Sequence, residues 1–352
     1  MVIFLVVLLI LGAALELFAL YEGLKRTEFT YAPSLSRAEP GQALHLTVTA
    51  TNHSLMPIGY LRANLTCPRD TGISEELVVG QERFHETVGL TFRLWGRQQL
   101  VRTIPLRLNS RGVYTFGDAY LYRGDFLGLK EVNDQYSFHH QVLVYPRELD
   151  SAPLRDALGS YCGELIAQRH LIRDPILTLG IREYSGREAM KTISWSQSAR
   201  RGQLMVREFD YTRDLSCTVL LAIDGIGAKD AQTLDRCCSI ARTVCQELTD
   251  RGVQVDLYTN APLWGYANRG VWSCSASPGH MGDVLETLAR LYAMQRCPAQ
   301  ELATLCAQST DENNAFILIA GTENEWVRSA VEILHDVSGN DPLLITAKNL
   351  DD

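Results

Sequence analysis

The side chains best suited to chemistry lie between residues 180 and 209. Arginines, aromatic residues and a carboxylate alternate there with apolar residues, and those expected to carry a function are Arg182, Tyr184, Trp195, Arg200, Arg207 and Glu208. A guanidinium presents its donors in a planar fork that fits a carboxylate or another anion. Two hypotheses stay open. One is an intramolecular clamp between this stretch and the C-terminal domain, with the arginines on carboxylates such as Glu183, Glu208 or Asp210; the other is a binding site for a partner or an anion.

The apolar residues of this stretch indicate how it is built. Leu204 and Val206 alternate with Met205 and Arg207, as in an edge or hairpin strand. Trp195 is large and amphipathic and lies close to Ile193 in sequence, so we expect a packed indole whose N–H is hydrogen-bonded.

A second place for chemistry is the end of an apolar run. Residues 217–223 are apolar and end at Asp224, and residues 315–320 end at Gly321-Thr322. Ligands of parallel sheets bind at the carboxyl ends of strands. Asp224 and Gly321-Thr322 are therefore the predicted rim of a binding site.

No pairing of nucleophile and base indicates an enzyme. His139, His140 and His170 have no partner at diagnostic spacing, and Cys237-Cys238 lies in a helical stripe, a poor place for a reactive thiolate. The sequence lacks the motifs of serine hydrolases, zinc peptidases, P-loop proteins and dinucleotide-binding proteins. We therefore expect neither catalysis nor a cofactor, although catalytic residues can assemble from distant segments.

Composition bounds the class of protein. The chain has 352 residues, a formal net charge of −8 and an ordinary apolar fraction of 46%, which predicts about two domains with sizeable cores. No Lys/Arg stripe dominates any segment, so nucleic-acid binding is not expected. The nine cysteines are odd in number and form no CxxC pair, which favours a reducing compartment over a zinc site or a disulfide framework.

Residues 1–24 predict a transmembrane anchor. The stretch 1–21 is apolar except for Glu16, and about 20 such residues span a hydrocarbon core. It has no basic start and no evident cleavage site, unlike a secretory signal. Because Lys25 and Arg26 follow it directly, the positive-inside rule places the body in the cytoplasm. The sequence therefore predicts a single-pass protein of the cell membrane.

The rest of the chain divides by the period of its apolar residues. In residues 27–150 apolar and polar side chains alternate, as at 44–50, 88–94 and 104–108, which predicts an antiparallel β-sandwich. Residues 151–214 form a connecting segment with a helix. In residues 215–352 apolar strands alternate with helical stripes, which predicts a parallel α/β sheet.

The predicted elements of that last part can be placed by number. The strands are predicted at 217–223, 253–258, 315–320 and 343–345, and the helices at 234–248, 281–294 and 326–334. The fold class is thus predicted as α+β and multi-domain, with an N-terminal transmembrane helix, an antiparallel β-sandwich and a C-terminal α/β domain.

Two stretches resemble the family called domain of unknown function 58. The first is Arg111-Gly112-Val113-Tyr114-Thr115-Phe116-Gly117 with Asp125-Phe126-Leu127-Gly128-Leu129, similar to the family's RGxYxxG…DPFGL. The second runs from Gly180-Ile181-Arg182-Glu183-Tyr184 through Ile193-Ser194-Trp195 and Ser198-Ala199-Arg200 to Leu204-Met205-Val206-Arg207-Glu208-Phe209, similar to GxRxY…IxWxxxAR…LxVxEF. Ser185-Gly186 and Ser196 depart from the residues usual in the second pattern, and Phe126-Leu127 from those in the first. Together with the order of domains, the resemblance covers nearly the whole chain.

The resemblance implies a von Willebrand A-like α/β domain. Such domains hold Mg²⁺ through an Asp-x-Ser-x-Ser loop. Here the loop reads Asp224-Gly225-Ile226-Gly227-Ala228, which keeps the Asp and lacks both hydroxyls. Asp224 is therefore a weak metal candidate in a degenerate site, and no metal is expected. Family members commonly begin with two membrane helices, whereas one is found in this sequence.

The resemblance also implies a partner. Proteins of this kind accompany MoxR-type AAA+ ATPases in assembling or activating other complexes, so we expect a membrane-anchored interaction and assembly protein. The alternatives are a hydrolase that uses Asp224 or His170 with a bound cation, and a metal-dependent, adhesion-like binding protein.

Overall fold

The computed structural model describes the backbone of residues 2–124, 131–169, 178–186, 188–209, 216–227, 230–267, 270–309 and 314–348. Side chains in these ranges are described except at 2, 15–25, 165–169, 178–179 and 208–209. The chain divides into two units, Met1–Arg147 with Leu285–Leu291, and Glu148–Val284 with Tyr292–Asp352.

The first unit is built from strands. Helix α1, Val2–Lys25, precedes β1 Thr27–Pro33, β2 Arg37–Ala38, β3 Ala43–Asn52, β4 Ile58–Pro68, β5 Val78–Gln81, β6 His85–Leu94, β7 Gln99–Arg107, β8 Gly112–Phe116, β9 Ala119–Gly124, β10 Glu131–Tyr136 and β11 His140–Val144. The sheet orders are β1-β3-β7, β10-β9-β4-β6-β5 and β2-β11-β8. Neighbouring strands are antiparallel except β2 and β11, which are parallel.

The period-two patterns explain these strands. In β3 the residues Leu44, Leu46 and Val48 are buried and the intervening polar residues face outward. They share one hydrophobic cluster with Phe92 of β6 and Phe116 of β8, and each buried apolar side chain contributes roughly 1.5–3 kcal/mol. The strands predicted at 44–50 and 88–94 are confirmed, and the one at 104–108 corresponds to the end of β7.

The second unit combines a small ribbon with an α/β sheet. Its elements are α2 Ala152–Arg169, β12 Thr178–Glu183, α3 Trp195–Arg201, β13 Met205–Phe209, β14 Ser216–Ala222, α4 Ala231–Asp250, β15 Gln254–Thr259, β16 Trp272–Ala276, α5 Gly282–Arg290 (part of which belongs to the first unit), α6 Ala299–Ser309, β17 Ala315–Ala320, α7 Glu325–Ser338 and β18 Leu343–Thr346. A short 3₁₀ turn, Met190–Thr192, precedes α3. Strands β14, β15, β17 and β18 are parallel in the order β16-β15-β14-β17-β18, and β16 is antiparallel to β15.

Burial follows the predicted stripes in this unit. From the second residue of β14 onward every residue is buried, as expected for a central strand covered on both faces. On α4 the predicted stripe from Leu234 through Cys237, Ala241 and Cys245 to Leu248 is buried along its whole length. The strand at 217–223 and the helix at 234–248 are therefore confirmed as elements.

The predicted transmembrane anchor at residues 1–24 is wrong. Crossing a hydrocarbon core takes about 20 consecutive apolar residues, and no helix among the described residues is long and apolar enough to do so. The fold class as predicted included this anchor and is wrong with it: the described part of the chain is β-rich, with strands in five sheets and seven α-helices. The predicted location as a single-pass protein of the cell membrane depended on the anchor and is wrong for the same reason. The prediction that the body lies in the cytoplasm was derived from the residues that flank the anchor and loses that basis.

Candidate functional site

The stretch rich in arginine forms a two-stranded ribbon and a short helix, named here the ribbon segment (residues 178–209). Strand β12 pairs antiparallel with β13, which places Ile181 opposite Arg207 and Arg182 opposite Val206. Helix α3, which begins at Trp195, lies between the two strands in sequence. The ribbon therefore holds both Arg182 and Arg207, with their side chains on opposite faces.

Hydrogen bonds attach α3 to β13. The Ser194 N–H donates to the Met205 carbonyl over 2.8 Å. The Met205 N–H donates to Oγ of Ser198 over 2.8 Å, and that hydroxyl donates to the Ser194 carbonyl at the same distance. Gly202, with φ of 70°, adopts the left-handed conformation that closes the helix. The helix is thus fixed by one serine and one backbone pair rather than by an apolar face.

Trp195 is exposed, and the prediction of a packed indole is wrong. Its relative exposure is 61%, and the exposed apolar residues of the same segment include Ile181, Met190 and Leu204. The seven-residue helix α3 buries only Ser198. Because α3 is held by polar contacts, it contributes no core in which an indole could pack.

The arginines are distributed between an internal pair and solvent. Arg182 pairs with Glu188 over 2.6 Å, and Glu188 also accepts the N–H and the hydroxyl of Ser185 over 3.1 and 2.7 Å. The Ser185 hydroxyl first, and Arg182 with it, lower the pKa of Glu188 to about 2. Arg200 and Arg207 are exposed.

The intramolecular clamp therefore takes a form that was not predicted. Arg182 pairs with Glu188 inside the ribbon segment rather than with Glu183. Glu208 is described only as a backbone position in β13, and Asp210 lies outside the described residues. Tyr184 is half-buried and donates its N–H to the Leu204 carbonyl over 2.9 Å.

The sheet rim, the loops at the carboxyl ends of β14, β15 and β17, has a different character. Asp224 is 1% exposed, and its Oδ1 accepts from the side-chain amide of Gln295 over 2.7 Å and from the Ala299 N–H over 3.0 Å. Its Oδ2 accepts from the side-chain amide of Asn260 over 2.8 Å. Three N–H donors therefore surround the carboxylate, with their positive ends turned towards it.

Neighbouring groups complete the closure of the sheet rim. Asn260 also accepts the Ile223 N–H over 3.0 Å and donates to the Cys297 carbonyl over 2.8 Å. Ile226 is 7% exposed, and a Cβ on Gly321 would lie 2.9 Å from its side-chain atoms. An apolar side chain thus fills the space where the resemblance puts a hydroxyl ligand.

The donor set at the sheet rim does not fit a hard cation. Mg²⁺ takes several oxygen ligands, whereas Asp224 meets amide N–H groups. Within the described ranges no group of three or more His, Cys, Asp or Glu residues could hold a metal ion. Ala228, the other position of the loop that would carry a hydroxyl, lies outside the described residues.

His139, His140, Cys237 and Cys238 lie outside the ribbon segment and the sheet rim. His139 is exposed, whereas the His140 ring packs edge-on against Tyr31 with centroids 5.7 Å apart. His170 lies outside the described residues. Cys237 and Cys238 are buried in α4, and buried structural cysteines are inert.

Sequence reasoning missed Glu188, Asn260 and Gln295. Asn260 lies two residues after the predicted strand at 253–258 and directly after β15. The strand pattern therefore indicated its place at the sheet rim. Gln295 had none, because it lies outside regular structure and reaches Asp224 from 71 residues away.

Comparison with known proteins assigns no family. No family model matches the chain, so the predicted descriptions as a domain of unknown function 58 protein and as von Willebrand A-like receive no support and are corrected here. The chain is 24% identical over 190 residues to "Uncharacterized protein YeaD" of Bacillus subtilis (strain 168), a match that covers 51% of this chain and 44% of that protein. The chain thus spans less than half the length of this relative.

Solved structures resemble parts of the chain only weakly. A CARDB domain from Pyrococcus furiosus, in complex with di-metal ions, is 13% identical and covers 34% of this chain and 94% of its own, with a TM-score of 0.22. A non-cellulosomal cohesin from Archaeoglobus fulgidus is 16% identical over 31% of this chain and 90% of its own, with a TM-score of 0.21. Spo0M, a sporulation control protein from Bacillus subtilis, is 13% identical over 45% and 58%, with a TM-score of 0.18. These likenesses assign neither a family nor an activity to the chain.

Proposed function

We propose that the chain is an interaction and assembly protein whose protein partner binds the ribbon segment. The observation that carries this proposal is Trp195, which is 61% exposed on a helix that two hydrogen bonds attach to β13. Tryptophan, tyrosine and arginine are the residues that dominate binding hot spots. An anchor that is already fixed loses less conformational entropy on binding.

The charge of the ribbon segment favours an acidic partner surface. Residues 178–209 contain six Lys or Arg and three Glu, a net charge of 6 − 3 = +3, whereas the whole chain carries −8. Exposed Arg200 and Arg207 contribute to this local excess. Complementary charge raises the rate of association and the choice of partner more than the affinity itself.

The partner we propose is a MoxR-type AAA+ ATPase. The sequence prediction of this partner came from residues 180–209, which coincide with the ribbon segment. The same residues present the exposed surface on which the partner is proposed to bind. The sheet rim offers less support for the rival hydrolase or cation-binding function, because donors from its own chain occupy Asp224.

The test is a binding measurement with a purified MoxR-type AAA+ ATPase on immobilised full-length protein. Trp195→Ala should cost about 2 kcal/mol, roughly thirtyfold in Kd, as for a hot-spot tryptophan. The matched control is Trp326→Ala, since Trp326 of α7 is similarly exposed at 51%, and it should leave Kd within about twofold. Equal effects of the two variants, or no binding by the wild type, would reject the proposal.

A further inference from the structure

The two edges of the ribbon can be assigned from its hydrogen bonds. In an antiparallel pair, residues alternate between those whose N–H and C=O face the partner strand and those whose groups face away. Because the Tyr184 N–H donates to the Leu204 carbonyl, the register places Arg182 and Val206 as the next inward-facing pair. Ile181 and Glu183 then face outward from β12, and Met205 and Arg207 face outward from β13.

The outer edge of β13 is occupied by its own chain. The outward N–H and C=O of Met205 bond to Ser198 and Ser194, which agrees with the assignment. The isolated bridge between Ile193 and Val206 continues the same contact. Helix α3 and the residues before it therefore close this edge.

The outer edge of β12 is open in the described part of the chain. There β13 is the only strand that pairs with β12. The outward carbonyl of Glu183 accepts a long hydrogen bond of 3.3 Å from the guanidinium of Arg182. Ile181 itself is 36% exposed. An open edge with an exposed apolar side chain is a template for a further strand.

We propose that the partner adds an extended strand to the outer edge of β12, and that this strand carries acidic and apolar residues. The proposal rests on the proposed function and specifies how the partner is held. A two-stranded ribbon is marginal in water and gains from a third strand, and strand addition draws its affinity from main-chain hydrogen bonds. Exposed Arg207 lies opposite Ile181, so that face of the enlarged sheet is both apolar and basic, complementary to an acidic strand.

The first test is amide hydrogen exchange at single-residue resolution, with and without the purified MoxR-type AAA+ ATPase. In the complex the N–H groups of Ile181 and Glu183 should exchange at least about tenfold more slowly, because they donate to carbonyls of the new strand. The inward N–H of Arg182 is the internal control, since it faces β13 already and should change less. Binding without protection at 181 and 183 would overturn strand addition.

A variant pair tests the same contact through affinity. Ile181→Pro removes one outward donor, a change that an edge strand tolerates, and should weaken binding by about tenfold. Ile181→Val keeps the donor and a branched side chain, and should bind within about twofold of the wild type. Circular dichroism and thermal melting establish whether both variants fold. If Ile181→Pro does not fold, the exchange experiment on the wild type tests the proposal on its own.

The outcomes separate the two proposals. If Trp195→Ala weakens binding and Ile181→Pro does not, the partner uses the ribbon segment without adding a strand, and only this inference is rejected. If the ATPase does not bind the wild type at all, the proposed function is rejected and this inference with it.

Discussion

The sheet rim and the ribbon segment treat their polar residues in opposite ways. At the sheet rim Asp224 is buried and accepts three N–H donors from its own chain. In the ribbon segment Trp195 and Arg207 are exposed, and among the described strands only β13 pairs with β12, which leaves its outward edge open there. Asp224, whose position suggested ligand binding, has a structural role. Trp195, which was expected in a core, is exposed and available to a partner.

The difference shows why residue type alone does not assign a role. A carboxylate at the end of a parallel strand is well placed for a ligand, but the same position lets it join three loops. Asn260 follows β15, whereas Gln295 and Ala299 come from the one segment that leads into α6. The nearby Ile193 suggested that Trp195 packs, yet the indole is exposed because its helix is held by Ser198 rather than by an apolar face. Hydrogen-bond partners decide between these outcomes.

The largest effect is expected from Asp224→Ala. The substitution leaves the buried donors of Asn260, Gln295 and Ala299 without this acceptor. Each unsatisfied buried donor costs roughly 1–3 kcal/mol, so the total loss should be about 3–5 kcal/mol. Urea unfolding followed by circular dichroism measures the loss of free energy of unfolding. Addition of Mg²⁺ to the wild type should leave its melting temperature unchanged, since a ligand stabilises only the state that binds it.

The control for this comparison is Asp230→Ala. Asp230 is exposed, and its carboxylate accepts one long bond from the Gly227 N–H at 3.3 Å. Its loss should cost less than about 1 kcal/mol, as for most surface substitutions. A stable Asp224→Ala protein, or a melting temperature that rises with Mg²⁺, would make the sheet rim a ligand site after all and break the contrast with the ribbon segment.

A middle-sized effect is expected from Ser198→Ala. The hydroxyl of Ser198 accepts the Met205 N–H and donates to the Ser194 carbonyl, so its removal should cost about 1–2 kcal/mol. Since this contact fixes the helix that begins at Trp195, partner binding should weaken in the same variant. Urea unfolding and the ATPase-binding assay measure the two effects. Exposed Ser196 provides the control Ser196→Ala, for which both quantities should stay close to wild type.

The strands and helices with strong apolar periods could be predicted from the sequence. The alternation at 44–50 and the stripe from Leu234 to Leu248 follow directly from burial on one face. Strand β16, Trp272–Ala276, was missed because its serines make it an edge strand without an apolar run. Helix α6 was missed because its buried face consists mainly of small residues, Ala299, Ala303 and Cys306.

The candidate site was only partly predictable. The position of Asp224 after an apolar strand was visible, but its donors were not, because Asn260 and Gln295 are 36 and 71 residues away in sequence. The ribbon was suggested by the alternation around Leu204 and Val206. Its open edge was not, since the direction of backbone groups depends on the register with β12 rather than on any residue type.

The smallest effect concerns Glu188, which binds Arg182 and Ser185 within the ribbon segment. The Ser185 hydroxyl and Arg182 lower the pKa of Glu188 from 4.5 to about 2. A carboxylate whose pKa is lower in the folded state contributes stability above the unfolded value, and that contribution is lost as the pH falls from about 4.5 through about 2. A carbon-13 NMR titration of the Glu188 carboxyl group, with the Nε–H signal of Arg182 as a second probe, should report one transition near the lower value.

The Glu188→Gln variant should remove that transition. Glu332→Gln, at an exposed position of α7, should keep it. If Glu188 instead titrates near 4.5, Arg182 is not held by it and becomes available to an acidic partner. The ribbon segment would then bind with one more mobile cation and less preorganisation. The ribbon segment would then differ more from the sheet rim in charge, because a further arginine would face the partner. It would differ from the sheet rim in rigidity as well, because Arg182 would no longer be fixed, whereas Asp224 is held by three donors.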